Sequence, residues 1–267
     1  MAEVNLNIDE LRTFVTHIIN NNRALQQDGK KPVAVEVIGE SGIGKTTSIM
    51  DLAQDQGLDF VKLNLAQIEE LGDLVGFPIK QFQMYTEKDG KKVGKWVDEV
   101  AVSDHSSLGF KTTGKSKMGY AAPEWIADKK QGGILLLDDW NRADVRFIQA
   151  CMELIDRQQY ISWTLPKDWH IILTANPDTG DYMVNSVDSA QKTRYVTANL
   201  KFDMDVWGRW AEAEEIDTRC INFMLLNPEL VSQSTNARSI STFFNAISSI
   251  PSFEDQLPLI QMIGEGS

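Results

Sequence analysis

The sequence predicts an α/β protein. Helices cover both faces of a parallel sheet, a phosphate-binding loop follows the first strand, and a small all-helical lid comes last. Three observations predict this. Five apolar runs, Val33 to Ile38, Phe60 to Leu65, Ile134 to Leu137, His170 to Ala175 and Tyr195 to Leu200, are separated by helix-length segments, the pattern of parallel strands joined by crossovers. The first run leads into GESGIGKT, Gly39 to Thr46, which has the glycine spacing and the Lys-Thr pair of a nucleotide-binding phosphate loop. From Asp205 onward the apolar spacing becomes wholly helical.

Taken in order, Leu11, Phe14, Val15, Ile18, Ile19 and Leu25 recur at helical spacing, so the chain opens with an amphipathic helix ending near Asp28 and Gly29. In the phosphate loop, Gly39, Gly42 and Gly44 allow a tight turn that presents N–H groups, and the helix beginning near Lys45 adds its positive dipole end. Lys45 is placed to meet the β- and γ-phosphates of ATP, and Thr46 to meet a magnesium ion. Glu40, Ser41, Ile43 and Thr47 complete the nucleotide-contacting stretch. The interval from Ala66 to Gly133 is longer than one crossover needs, which predicts inserted hairpins or mobile loops around residues 72–120. Lys88, Lys91, Lys92 and Lys95, with Lys111, Lys115 and Lys117, read as solvated loop residues there.

The run ILLLDD, Ile134 to Asp139, is an apolar strand ending in two carboxylates. After a phosphate loop, Asp138 is placed to hold the magnesium shell and Asp139 to orient an attacking water. Asn176 follows the next strand in TANP, where its amide can hold the water or the γ-phosphate; a turn-forming Asn before Pro177 is the plainer alternative. Helices are expected near 205–215, 217–226, 236–248 and 254–262, giving a nucleotide-binding domain over 1–202 and a lid over 203–267. Trp207 and Trp210 form a stripe on the first lid helix that reads as core, and Cys151 reads as core as well.

Composition bounds the function. A chain of 267 residues with 42% hydrophobic content has room for one large domain or a domain with an appendage. A formal charge of −12 disfavours sequence-independent binding to nucleic acid unless charge is strongly segregated. Cys151 and Cys220 lie far apart, and His17, His105 and His170 share no ligand spacing, so neither a disulfide framework nor a His/Cys metal site is expected. No apolar run approaches membrane-spanning length, and the acidic start does not resemble a signal peptide; a cytoplasmic protein is expected.

GESGIGKT, LLLDDWNRA (Leu135 to Ala143) and ILTANP (Ile172 to Pro177) together resemble the AAA+ ATPases, and specifically the MoxR family. The resemblance covers roughly the whole chain. It implies an AAA+ αβα sandwich with a five-stranded parallel sheet and a helical lid. It also implies a homo-oligomer, usually a hexameric ring, that spends ATP with Mg2+ to remodel or activate a client protein, often one with a von Willebrand factor A domain. It assigns Lys45 and Thr46 to the Walker A pair, Asp138 to the Walker B metal position and Asn176 to sensor 1. Arg194, in DSAQKTRYV, matches the arginine finger that serves a neighbouring subunit, and Arg238, in STNARSIST, matches the sensor 2 arginine of the lid. For both, a surface arginine is the plainer reading.

Leu74, Val75, Gly76 and Phe77, in GDLVGFP, resemble the loop that faces the ring's centre, with local packing as the alternative. The family normally has Glu where this chain has Asp139. Losing one methylene draws the carboxylate back by about 1.5 Å, enough to impair water positioning. An ATP-hydrolysing remodeller is therefore the first reading and an ATP-binding scaffold that barely hydrolyses is the second. A DNA-handling motor of the same superfamily, weakened by the net acidity, is the third.

Overall fold

The computed structural model describes residues 5–88, 91–180, 182–185, 191–231, 236–250 and 252–264. The chain runs β1 (Asn5–Leu6), α1 (Ile8–Gln27), β2 (Ala34–Ile38), α2 (Lys45–Asp55), β3 (Asp59–Asn64) and α3 (Leu71–Val75). Next come β4 (Pro78–Lys88), β5 (Lys91–Asp98), α4 (Val102–Ser107), β6 (Lys111–Tyr120), α5 (Glu124–Ala127), β7 (Gly133–Asp138) and α6 (Val145–Arg157). The remainder is β8 (Gln159–Tyr160), β9 (Trp163–Thr164), β10 (Trp169–Ala175), β11 (Tyr195–Leu200), α7 (Met204–Ala213), α8 (Thr218–Leu226), α9 (Ala237–Ser248) and α10 (Phe253–Gly264).

The main sheet is parallel, in the order β1-β11-β2-β10-β7-β3. The fold class read from the sequence is the one found, with one difference: the sheet has six strands and not five. The sixth, Asn5–Leu6, pairs with Asn199 and Leu200 at the edge; two residues show no alternation to read. Strands β7 and β10 are buried at every position, as central strands covered on both faces must be. On one face Leu11, Val15 and Ile19 of α1 and Ile49 and Leu52 of α2 pack on Val35, Val37, Ile134 and Leu136. On the other, Phe147, Cys151 and Leu154 of α6 pack on Leu135, Leu137, Ile171 and Leu173. Each such side chain contributes about 1.5–3 kcal/mol by leaving water. Burial pushes the Cys151 thiol up to about 12, so it stays an inert core residue.

Local signals set the helix ends. Asn7 accepts from the Glu10 N–H while Glu10 accepts from the Asn7 N–H, a reciprocal cap that starts α1. Asp203, Asp217 and Asn236 cap α7, α8 and α9 through their side chains. Trp207, Ala211, Cys220, Met224, Ala237 and Ile240 form a separate small core among these helices. Trp207 belongs to it, whereas Trp210 is 37% exposed, so the expected Trp stripe is core only in part. Among the described residues no helix is long and apolar enough to cross a membrane.

Between α3 and α5 the chain builds a second, antiparallel sheet in the order β5-β4-β6. This corrects the reading of the lysines as loop residues: Lys88, Lys91, Lys92, Lys95, Lys111, Lys115 and Lys117 all lie on its strands. Interleaved Phe82, Tyr85, Trp96 and Val97 carry the strand propensity that the lysine content masked. Leu74 and Val75 are core residues, so local packing holds for them, while Phe77 is 57% exposed.

One buried group stands out from this apolar frame. Glu36, in the middle of β2 and 4% exposed, accepts hydrogen bonds from Trp140 Nε1 at 3.0 Å and Thr197 Oγ1 at 3.0 Å. Burial pushes its carboxyl above the usual range, and those two bonds and the charge of Lys192 pull the other way. Trp140 itself is fully buried and meets Tyr195 edge to face. Replacing Trp140 with Phe should keep an aromatic ring but strip one donor from a buried carboxylate and leave a small void, costing at least about 1–3 kcal/mol in urea denaturation. Trp140→Ala should cost about 3–5 kcal/mol. An unchanged midpoint for Trp140→Phe would contradict the role given to this bond.

Candidate nucleotide site

The site forms where β2, β7 and β10 end side by side. Ile38 pairs with Ala175 and Leu173 with Leu137, so the three carboxyl ends lie level, the place where open α/β sheets collect ligands. The loop 39–44 leaves β2 there and enters α2 at Lys45. Gly42 and Gly44 have φ of 79° and 95°, a backbone that only glycine adopts without strain. A Cβ on Gly42 would also stand 2.4 Å from Asn236 Oδ1. The cap residue of α9 therefore rests against the phosphate loop.

Lys45 is 7% exposed and spends its ammonium inside the site, donating to the Gly39 carbonyl at 2.6 Å, the Glu40 carbonyl at 2.9 Å and Asn176 Oδ1 at 3.1 Å. Burial pulls its pKa down to about 8, against the opposing pull of Asp139 and Asp138. Asp138 accepts from Thr46 Oγ1 at 2.9 Å and Thr174 Oγ1 at 2.5 Å, and pairs with Lys62 Nζ at 2.9 Å. Burial pushes its carboxyl up, but the bonds from Thr174, Lys62 and Thr46 outweigh this and hold it below the usual range.

Asp139 has φ 51°, a left-handed conformation that Asp tolerates better than most residues. Its N–H donates to Thr174 Oγ1 at 3.1 Å, and its Oδ1 accepts from Asn176 Nδ2 at 3.2 Å. Asn176 thus bridges Lys45 and Asp139. Asn141 clamps the bridge: its Nδ2 donates to the Asn176 carbonyl at 2.8 Å, and its Oδ1 accepts from the Asn176 N–H at 3.2 Å. Arg142 Nη1 stands 3.7 Å from the other Asp139 oxygen. On the loop's outer side, Tyr182 donates to Glu40 Oε2 at 2.7 Å and accepts from the Ser41 N–H at 3.3 Å.

The structure thus brings Lys45, Thr46, Asp138, Asp139 and Asn176 into one hydrogen-bonded cluster. Beside it opens a cleft of about 490 Å³ whose lining includes Ile8, Gly44, Thr47, Trp207, Ile216 and Arg238, within the size range of small-molecule sites. Ile43 contributes to the same cleft. Arg238, the second residue of α9, reaches it from the lid side, close enough for its charge to act on Lys45. Arg194 is not brought in. It is exposed at the opposite end of the sheet: Tyr195 pairs with Ala34, so ~16 Å of strand separates it from Gly39. Residues 186–190 and 232–235, within or beside the stretches quoted around Arg194 and Arg238, lie outside the described residues.

Sequence reasoning missed Thr174, Lys62, Asn141 and Tyr182. Thr174 and Lys62 had a signal, being polar residues flanked by apolar ones within strand runs; Asn141 and Tyr182 had none. The donor set fits a nucleotide triphosphate with magnesium: loop N–H groups and an ammonium suit phosphate, and the Thr46 hydroxyl and Asp138 carboxylate are hard oxygen ligands. Among the described residues no group of three or more His, Cys, Asp or Glu forms a self-contained metal site. A magnesium ion at Thr46 and Asp138 would need phosphate and water oxygens as well.

No protein-family model matches this chain, and no curated protein sequence does. Among solved structures, three mutants of Thermotoga maritima RuvB are similar in fold, with sequence identities of 11%, 13% and 12% and TM-scores of 0.47, 0.44 and 0.46. Each alignment covers 96% of this chain and 66–67% of the RuvB chain, so this chain spans about two thirds of their length.

The depressed Lys45 pKa gives a pH signature. An anionic ligand prefers the protonated amine, so affinity for ATP should be level below about pH 7 and fall as pH rises through about 8. At high pH the fall approaches about tenfold per unit. Lys45→Ala should bind far more weakly with no such fall, and a nucleotide titration at three pH values decides it. A wild-type affinity independent of pH would contradict the role assigned to this amine.

Proposed function

We propose that this chain is a MoxR-like AAA+ ATPase: a ring, of six subunits in the family pattern, that uses ATP and Mg2+ to remodel or activate a client protein in the cytoplasm. The observation that carries the reading is the bridge Lys45–Asn176–Asp139 beside the Thr46–Asp138 pair. It joins the group suited to hold phosphate, the group suited to sense it and the group suited to orient water. On this reading residues 1–202 form the nucleotide-binding domain and 203–267 the lid.

The chemistry follows from the contacts. The Lys45 ammonium has three donors, and three acceptors surround it, two of them the loop's own carbonyls. Incoming phosphate must replace at least one of these, which couples nucleotide entry to the shape of the loop. Thr46 and Asp138 would hold magnesium, which when bound neutralises charge on the phosphate oxygens. Asn176, released in part by Lys45, remains tied to Asp139 and so reports the γ-phosphate to the carboxylate that positions water.

The left-handed backbone of Asp139, at φ 51°, is one that Asp adopts more readily than most residues. Arg238 closes the lid side, and Arg194 serves a neighbour's nucleotide because its own site is a strand length away. A client carrying a von Willebrand factor A domain fits the family pattern.

A second reading, an ATP-dependent switch with little hydrolysis, is favoured by one observation: Asn176 already donates to one Asp139 oxygen, and Arg142 stands 3.7 Å from the other. Steady-state phosphate release by three proteins separates the two. If Asp139 orients water, Asp139→Asn should bind ATP normally and lose roughly 10² to 10⁴ in turnover. Asp139→Glu should equal or exceed the natural rate. A switch would instead start slow, barely respond to Asp139→Asn and speed up only in Asp139→Glu. Fast natural turnover that Asp139→Asn leaves untouched would contradict both readings.

A further inference from the structure

The inserted sheet has a charge opposite to that of the body. Residues 78–120 hold eight lysines and five acidic residues in a chain of formal charge −12, so the acidic excess lies elsewhere. Paired residues of an antiparallel sheet share a face. Phe82, Met84, Val97 and Lys95 lie on one face, where Met84 and Val97 are buried. Gln83, Tyr85, Trp96, Lys92 and Lys117 lie on the other.

Aromatic rings hold the ammonium groups in place: Lys92 lies 5.0 Å from the Tyr85 centroid, Lys117 4.6 Å from Trp96 and Lys95 4.5 Å from Phe110. Strand β5 is an outer strand, paired to β4 over all eight of its residues without a register shift. Strand β6, the other edge, is irregular where it faces Phe82 to Met84.

We propose that β5 takes up an extended, acidic polypeptide segment as an added strand, with carboxylates set against Lys91, Lys92 and Lys95. The proposal rests on the protein-remodelling reading and names the chemistry of the segment engaged. The open edge offers a row of backbone donors and acceptors that only another polypeptide can pair. A nucleic-acid strand would meet the lysines alone, and would have to displace their ammonium groups before its bases could stack on the rings. A second copy of β5 would bring three more lysines and one carboxylate to the same edge, and lysines on an edge strand oppose such pairing. Glu87 faces Lys92 across the strands, and Asp98 and Glu99 close the far end. The occupant therefore centres on the Lys91 to Lys95 half.

The test uses the full chain without nucleotide and a fluorescein-labelled peptide of Glu pairs alternating with Val pairs, which puts carboxylates on both faces as Lys92 on one and Lys91 and Lys95 on the other require, eight residues long to match β5, followed by anisotropy. The peptide should bind, more weakly as salt rises. The triple variant Lys91→Glu, Lys92→Glu, Lys95→Glu should lose at least roughly tenfold in affinity and should gain affinity for the matching Lys-Val peptide. The variant should keep the far-UV circular dichroism spectrum and the cooperative thermal unfolding of the natural chain, which shows that the fold is intact. Because the titration needs no nucleotide, its failure and the failure of the ATPase reading are separate results. Three results would overturn the proposal: no peptide binding, equal binding of a peptide with proline at the Val positions, or tighter binding of an oligo-dT strand of the same charge.

Discussion

The Lys45 ammonium is the interaction on which the rest of the site depends. A buried cation is tolerated only when every donor finds an acceptor. Here the acceptors come from the curled loop, through the Gly39 and Glu40 carbonyls, and from the end of β10, through Asn176. Meeting all three at once requires β2 and β10 to stay in register to their last residues, which the Ala175–Ile38 pairing and the bond from the Gly39 N–H to the Ala175 carbonyl maintain. The apolar faces of α1, α2 and α6 fix that register by burying alternate residues of each strand.

A second buried charge extends the same logic across the sheet. Glu36 lies two residues before the end of β2 and ties it to Trp140, directly after Asp139, and to Thr197, three residues after Arg194. Strand β2 therefore meets the phosphate loop at its end and, from its middle, holds both the turn that bears Asp139 and the strand that follows Arg194.

The sequence made much of this legible, and the gaps have physical causes. The five main strands were readable because buried parallel strands are continuous apolar runs, as in ILLL of β7 and HIIL of β10. The phosphate loop was readable because its glycines and its Lys-Thr pair meet fixed geometric needs. The two-residue β1 was too short to show a pattern. Of the two alternatives read for residues 72–120, hairpins and mobile loops, the structure has hairpin strands; their exact course was masked by lysines that cover the rings, since charge content is the usual mark of a loop. The partners of Lys62 and Asn141 could not be read because they lie 76 and 35 residues away, at Asp138 and Asn176, and only the sheet topology brings them together.

Arg194 is a strand length from its own phosphate loop, so under the proposed function it acts on the nucleotide of a second copy of the chain. Phosphate release from mixed subunits tests this most directly. Lys45→Ala subunits keep the arginine, Arg194→Ala subunits keep the loop, and each alone should be nearly inactive. Mixed together, they should regain turnover at the hybrid interfaces. Full turnover by Arg194→Ala alone, or by a chain that stays monomeric with ATP, would contradict a site shared between subunits.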